Sequence, residues 1–117
     1  MTNAEKIKIL KQYRNSIRNI KLNPNDRNDI LRYNELAEVL RQTGCIDYDY
    51  SDHINYSKNW DFAKEVSKVQ TFTFQQCCAF LTFIWRQERL DGDWFVKCIN
   101  DGSVSKLLDR LIEVMLE

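Results

Sequence analysis

Nine consecutive residues apolar but for one hydroxyl, Cys77-Cys78-Ala79-Phe80-Leu81-Thr82-Phe83-Ile84-Trp85, stand in a chain of which 29% is charged. The run is about half the roughly 20 residues that an apolar helix needs to cross a bilayer, and Arg86 ends it. Thr73, with Gln76 three residues later, precedes it in the pattern of a capping box. There a hydroxyl and an amide satisfy the first free N–H groups of a helix. Phe80, Leu81, Phe83, Ile84 and Trp85 then cover that helix almost all round. Helices with so little polar surface lie at the centre of their domain. The chain is therefore expected to assemble around a central apolar helix at about 73–90, closed by the cations of Arg86-Gln87-Glu88-Arg89 and stopped by Gly92.

The flanking sequence supplies the surrounding helices. Thr2 and Glu5 form another capping-box pattern, followed by Ile7, Leu10, Tyr13, Ile17 and Ile20 at three- and four-residue spacing, which predicts a helix over Asn3 to Lys21. Asn23-Pro24-Asn25 breaks it. A second helix is expected from Asp26 to Gln42, with Ile30, Tyr33, Ala37 and Leu40 on one face and Leu31 and Leu36 beside it. Gly44 then takes the left-handed cap position. Cys45-Ile46-Asp47-Tyr48-Asp49-Tyr50 alternates polar and aromatic residues, which suits a short extended segment. A third helix runs from Trp60 to about Val69, capped by Asn59, with Ala63, Val66 and Val69 inward. Beyond the central helix come a short one, Trp94 to Ile99, the turn Asn100-Asp101-Gly102, and a final helix capped by Ser103. Its Val104, Leu107, Leu108, Leu111 and Ile112 leave too narrow a polar strip for a DNA-recognition helix. The expected fold is mainly α: a compact bundle of five or six short helices around the central one, with one irregular or short extended segment at about 45–59.

The 117 residues suit a single helical domain, 1–117, able to bury roughly two-thirds of its unfolded surface without a metal or disulfide. Met1-Thr2-Asn3-Ala4-Glu5-Lys6 lacks the apolar core of a secretion signal, so a cytoplasmic protein with no membrane partner is expected. Cys45, Cys77, Cys78 and Cys98 form no regular framework and are read as reduced, buried thiols. Cys77 and Cys78 would point about 100° apart on a helix, which disfavours a shared metal ion. No cofactor is implied. Asp47-x-Asp49-x-Ser51 opens like an EF-hand loop, but Asp52 replaces its glycine and Lys58 its closing glutamate. His53 is the single histidine; a cysteine–histidine pair with His53 as base is conceivable, but no orienting group or oxyanion feature is recognisable, so no catalytic residue is assigned.

Thr82 to Leu90, Gly92, Trp94, Asp101-Gly102 and Leu108-Asp109-Arg110-Leu111 together resemble an uncharacterised prokaryotic family, domain-of-unknown-function family 6508. The resemblance covers the last third of the chain well and the middle loosely. It implies no activity. It directs attention to Arg86, Glu88, Arg89, Trp94, Asp101 and Arg110.

Formal net charge is zero, which argues against a protein that works mainly by coating nucleic acid. The charge is nonetheless uneven. Residues 1–21 carry Lys6, Lys8, Lys11, Arg14, Arg18 and Lys21 against Glu5; residues 45–65 carry Asp47, Asp49, Asp52, Asp61 and Glu65 against Lys58 and Lys64. Residues 46–60 combine Asp47, Asp49 and Asp52 with Tyr48, Tyr50, Tyr56 and Trp60. Aromatic side chains dominate binding hot spots, and acids steer a basic partner. The expected function is a small non-enzymatic protein-interaction module, of the kind a phage or mobile element uses to inhibit or regulate a host complex. Its partner-binding residues are Tyr48, Tyr50, Asp47, Asp49, Asp52, Arg86 and Arg89, with Tyr48 and Tyr50 on one face of an extended segment. The alternative is a nucleic-acid-associated protein using Lys8, Lys11 and Arg18 of the basic first helix.

Overall fold

A computed structural model describes residues 1–54, 60–87 and 93–117. Among them the chain forms α1 (Asn3–Ile17), α2 (Arg27–Ile30), α3 (Tyr33–Gln42), α4 (Tyr50–His53), α5 (Phe62–Val66), a 3₁₀ turn (Val69–Thr71), α6 (Phe74–Arg86), α7 (Trp94–Asn100) and α8 (Ser103–Leu116), with no strand among the described residues. Both capping boxes form: Thr2 Oγ1 accepts the Glu5 N–H at 3.1 Å, and Thr73 Oγ1 accepts that of Gln76 at 3.2 Å. In each, the third-position side chain reaches back to the cap's own N–H.

The helix α6 is central, as its composition requires. Eight successive residues, Cys77 to Ile84, are buried, and α3, α4, α7 and α8 pack around them. The helix α8 buries Val104, Leu107, Leu108, Leu111 and Ile112 between α6 and α1, and α1 contributes Ile7, Leu10, Tyr13 and Ile17. These residues join one continuous core. Each fully buried aliphatic side chain contributes about 1.5–3 kcal/mol from removal of apolar surface from water.

Several boundaries differ from the expectation, each for a local reason. The first helix ends at Ile17, not Lys21, because Arg18 is extended and Asn19 sits at φ +69°. Beyond that bend Asn100 clasps the chain: its Oδ1 accepts the Leu22 N–H at 2.8 Å and its Nδ2 donates to the Leu22 carbonyl at 2.9 Å. Ile20 has left the helix but still packs on the core. The expected second helix is two. Asp26 caps α2 by accepting the Asn28 N–H, and tight three-residue turns at Leu31 and Arg32 reset the axis before α3. The reset buries Leu36 and Leu40 completely and leaves Leu31 exposed. Gly44 takes the left-handed cap at φ +69°.

The third helix starts at Phe62 with Asp61 as its cap, so Phe62 is buried where Ala63 was expected and Ala63 is exposed. At α8 the cap position belongs to Gly102, at φ +83°; Ser103 is buried and its N–H is taken by Asp101 Oδ1 at 2.8 Å. The expected segment at 45–59 is irregular rather than a strand over its described part, residues 45–54. The chain turns at 48–49 and forms α4, packed on α6. Tyr56, Asn59, Glu88, Arg89 and Gly92 lie outside the described residues.

This packing sets the relative cost of two leucine truncations. Leu81→Ala, at a fully buried position on α6, is expected to destabilise the protein by about 2–5 kcal/mol. Leu31→Ala, at the exposed break between α2 and α3, should stay within about 0.5 kcal/mol. Urea unfolding of both variants checks the ordering.

Candidate functional site

A single polar residue in the middle of the apolar run anchors the aromatic-acidic segment. Thr82 is 1% exposed, and a hydroxyl buried to that degree has to be hydrogen-bonded. Its Oγ1 donates to the Cys78 carbonyl at 2.8 Å and accepts the Asp47 N–H at 3.0 Å. The rest of Asp47 organises the turn that follows. Its Oδ1 accepts the Asp49 N–H at 3.0 Å, its carbonyl accepts the Tyr50 N–H at 3.2 Å, and its Oδ2 lies 2.6 Å from His53 Nδ1. The other imidazole nitrogen faces the Gln75 amide at 3.3 Å. Segment 45–54 is thus tied to α6 at Thr82 and at Gln75.

The consequence for the tyrosines corrects the sequence expectation. Because the chain turns between them, Tyr48 and Tyr50 do not share a face. Tyr48 is 80% exposed, whereas Tyr50 is half-buried and meets the Phe83 ring edge-on at 6.1 Å. Tyr48 and Tyr50 border a small depression of about 60 Å³ whose other walls include Ile46, Trp85 and Arg86. The Arg86 guanidinium lies 5.3 Å from the centre of the Trp85 ring, a cation–π distance. On the other side of Ile46 and Asp47 a depression of about 170 Å³ is walled by Gly44, Phe74, Gln75 and Cys78, and Phe74 is 45% exposed.

Of the residues expected to bind a partner, the fold gathers Asp47, Tyr48, Tyr50 and Arg86 at one depression and sets the exposed Asp49 and Asp52 on the adjoining turn and α4. Asp47 is committed internally: its side chain is only 10% exposed and pairs with His53. Arg89 lies outside the described residues. Sequence reasoning missed Phe74, an aromatic residue in the first turn of α6, and the positioning roles of Thr82 and His53. A lone hydroxyl in an otherwise apolar helix was the available signal for Thr82. Nothing in the sequence pairs His53 with Asp47.

The residues of the alternative basic site are less concentrated. Lys8 and Lys11 are exposed, but Arg18 shares Asp109 with Arg14, each at 3.2 Å. Among the family-pattern residues, Arg110 donates to the Phe72 carbonyl at 3.0 Å and pairs with Glu113 at 2.6 Å. Together with the Asp101 bond to the Ser103 N–H, this makes those positions structural fastenings. All four cysteines are buried and none forms a disulfide. Burial pushes the Cys77 thiol up to about 12 and the Cys98 thiol higher. Contact with the Cys45 sulfur, together with burial, raises Cys78, and the hydrogen bond between the two lowers Cys45. No three histidine, cysteine or acidic side chains converge as a metal site among the described residues, and no described helix is long and apolar enough to cross a membrane.

The hydrogen bond with Asp47, reinforced by the charges of Asp47, Asp49 and Asp52, raises the His53 pKa above its ordinary 6.5. A raised folded-state value means that the protonated pair stabilises the fold fully below about pH 6.5, and that this contribution is lost as pH rises through the folded value. The thermal midpoint of His53→Gln is therefore expected to fall furthest below the parent at pH 5–6, with the gap closing above neutrality. Proton NMR titration of the imidazole should give a value above 6.5 that drops in Asp47→Asn.

Comparison with known proteins adds the family and nothing on chemistry. No curated protein and no solved structure matches the chain. The model of a family of unknown function, DUF6508, matches residues 9–117, so the likeness extends far beyond the last third, where the sequence pattern is plainest. The match takes in the second half of α1 and every described element after it, and the chain belongs to this family.

Proposed function

We propose that the protein is a non-enzymatic interaction module that binds another protein through the face built around Tyr48. The observation that carries this reading is an 80% exposed tyrosine on a turn held to the central helix by the Asp47–Thr82 and Asp47–His53 bonds. A large aromatic ring normally hides from water. Held outward on a fixed backbone, it offers a partner wide contact area at small entropic cost. The depressions on either side suit two apolar side chains of the partner, and the exposed Asp49 and Asp52 favour a basic segment beside them. A phage or mobile-element protein that inhibits or regulates a host complex would use such a face to occupy a surface on that complex.

Catalysis has less in its favour. Both imidazole nitrogens of His53 are engaged, by Asp47 and by Gln75, and the hydrogen bond with Cys45 together with burial raises the Cys78 thiol pKa. The nucleic-acid reading is weakened by the Arg18–Asp109 pair.

Replacing Tyr48 with a photo-crosslinking phenylalanine analogue in the native host should trap one dominant protein, whereas the same analogue at Lys11 should not. With that partner in hand, Tyr48→Ala should weaken binding by about 1–2 kcal/mol or more while changing folding stability by less than about 0.5 kcal/mol. Unchanged affinity on loss of the ring would remove this face from the interaction.

A further inference from the structure

A second cleft, away from the Tyr48 face in its lining residues, opens between α5 and α7. It holds about 380 Å³, within the range of small-ligand pockets, and its walls are aromatic. The Phe62 ring meets Trp94 at 5.3 Å and 72°, and Trp60 at 6.1 Å and 66°. One ring therefore has two others standing nearly perpendicular to it. Phe62 is stacked on Phe83 at 5.6 Å and 17°, which fixes its plane against the core. Trp60 and Trp94 are only half-buried, so part of each indole borders the cleft.

The charge beside these rings is negative. Asp61 and Asp101 both line the cleft. Asp61 Oδ1 caps α5 by accepting the Lys64 N–H at 3.1 Å, and Asp101 Oδ1 accepts the Ser103 N–H at 2.8 Å in the turn before α8. These bonds hold each carboxylate in place by one oxygen. The cation in the lining, Lys97, is drawn to Asp93 at 3.4 Å. Two indoles, a phenyl ring and two fixed carboxylates repel anions and attract cations. A metal ion would need a closer set of oxygens than these residues supply, and a primary ammonium would need three acceptors. A quaternary or fully methylated ammonium needs none: its diffuse charge is stabilised by ring faces and nearby carboxylates, the chemistry of an aromatic cage. We infer that the cleft between α5 and α7 binds a quaternary ammonium group, with Trp60, Phe62 and Trp94 as its walls and Asp61 and Asp101 as its counter-charge.

Choline and its neutral isostere 3,3-dimethylbutan-1-ol, in which carbon replaces the nitrogen, separate charge from shape. A trimethyllysine peptide distinguishes a protein-borne ammonium from a free small molecule. The three indole N–H signals of the full-length protein report the location, because Trp85 lies outside this cleft and serves as an internal control. Choline, the peptide or both are expected to shift the Trp60 and Trp94 signals and leave Trp85 in place. The neutral alcohol should bind about tenfold more weakly or not at all. Asp61→Asn and Asp101→Asn, singly and together, keep the side-chain oxygen that accepts the backbone N–H and should weaken cation binding at least fivefold without altering the Tyr48 face. The Tyr48→Ala variant should bind the cation normally, so this site stands or falls apart from the interaction face. Equal binding of alcohol and choline, a shift at Trp85 alone, unchanged affinity in the aspartate variants, or no response to either ammonium probe would overturn the assignment.

Discussion

The burial of α6 governs everything else in this molecule. Cys77 to Ile84 expose almost nothing, and a helix apolar on every side cannot rest on one neighbour, so the chain must supply several. It does so with α8 on one flank and α3, α4 and α7 on others. Short helices suffice because each needs to cover only a strip. Four-residue α2 and α4 are too short to persist alone and depend on this packing for their form.

That dependence is also what gives α4 a fixed position. Thr82 places a hydrogen-bonding group inside the otherwise apolar surface, and the Asp47 N–H satisfies it. A buried donor or acceptor left unpaired costs about 1–3 kcal/mol, so the bond selects one register of the turn over its neighbours. Asp47 then spends its carboxylate on the Asp49 N–H and on His53. The result is a small polar network at the edge of the core that orients Tyr48 outward and Tyr50 inward.

Much of this architecture was legible in the residues. The capping pairs Thr2–Glu5 and Thr73–Gln76 announced two helix starts, and the apolar run between Gln76 and Arg86 identified the central element. Gly44 announced its own turn. What was not legible depended on contacts distant in sequence. The bend after Ile17 follows from the clasp with Asn100, about 80 positions away, and the apolar spacing through Ile20 runs straight across it. The break at Leu31–Arg32 lies inside a pattern that is periodic on both sides. The aromatic-acidic segment was recognised as a place of interest, but its alternation suggested an extended strand with both tyrosines on one face. Its turn comes from Asp47 bonding Thr82 across 35 residues and His53 across six, and no local propensity encodes those bonds. The cleft between α5 and α7 was hidden for the same reason: Phe62 and Trp94 meet only in the fold.

The anchoring of the Tyr48 face by a single buried hydroxyl is the claim on which this account most depends, and amide hydrogen exchange reads it directly. In the parent protein the Asp47 amide should be protected to nearly the same degree as the interior amides of α6. In Thr82→Val, which removes the acceptor and keeps the shape, protection at Asp47, Asp49 and Tyr50 should fall steeply while the middle of α6 stays protected. An Asp47 amide that exchanges freely in the parent, or one whose protection survives Thr82→Val unchanged, would contradict the account.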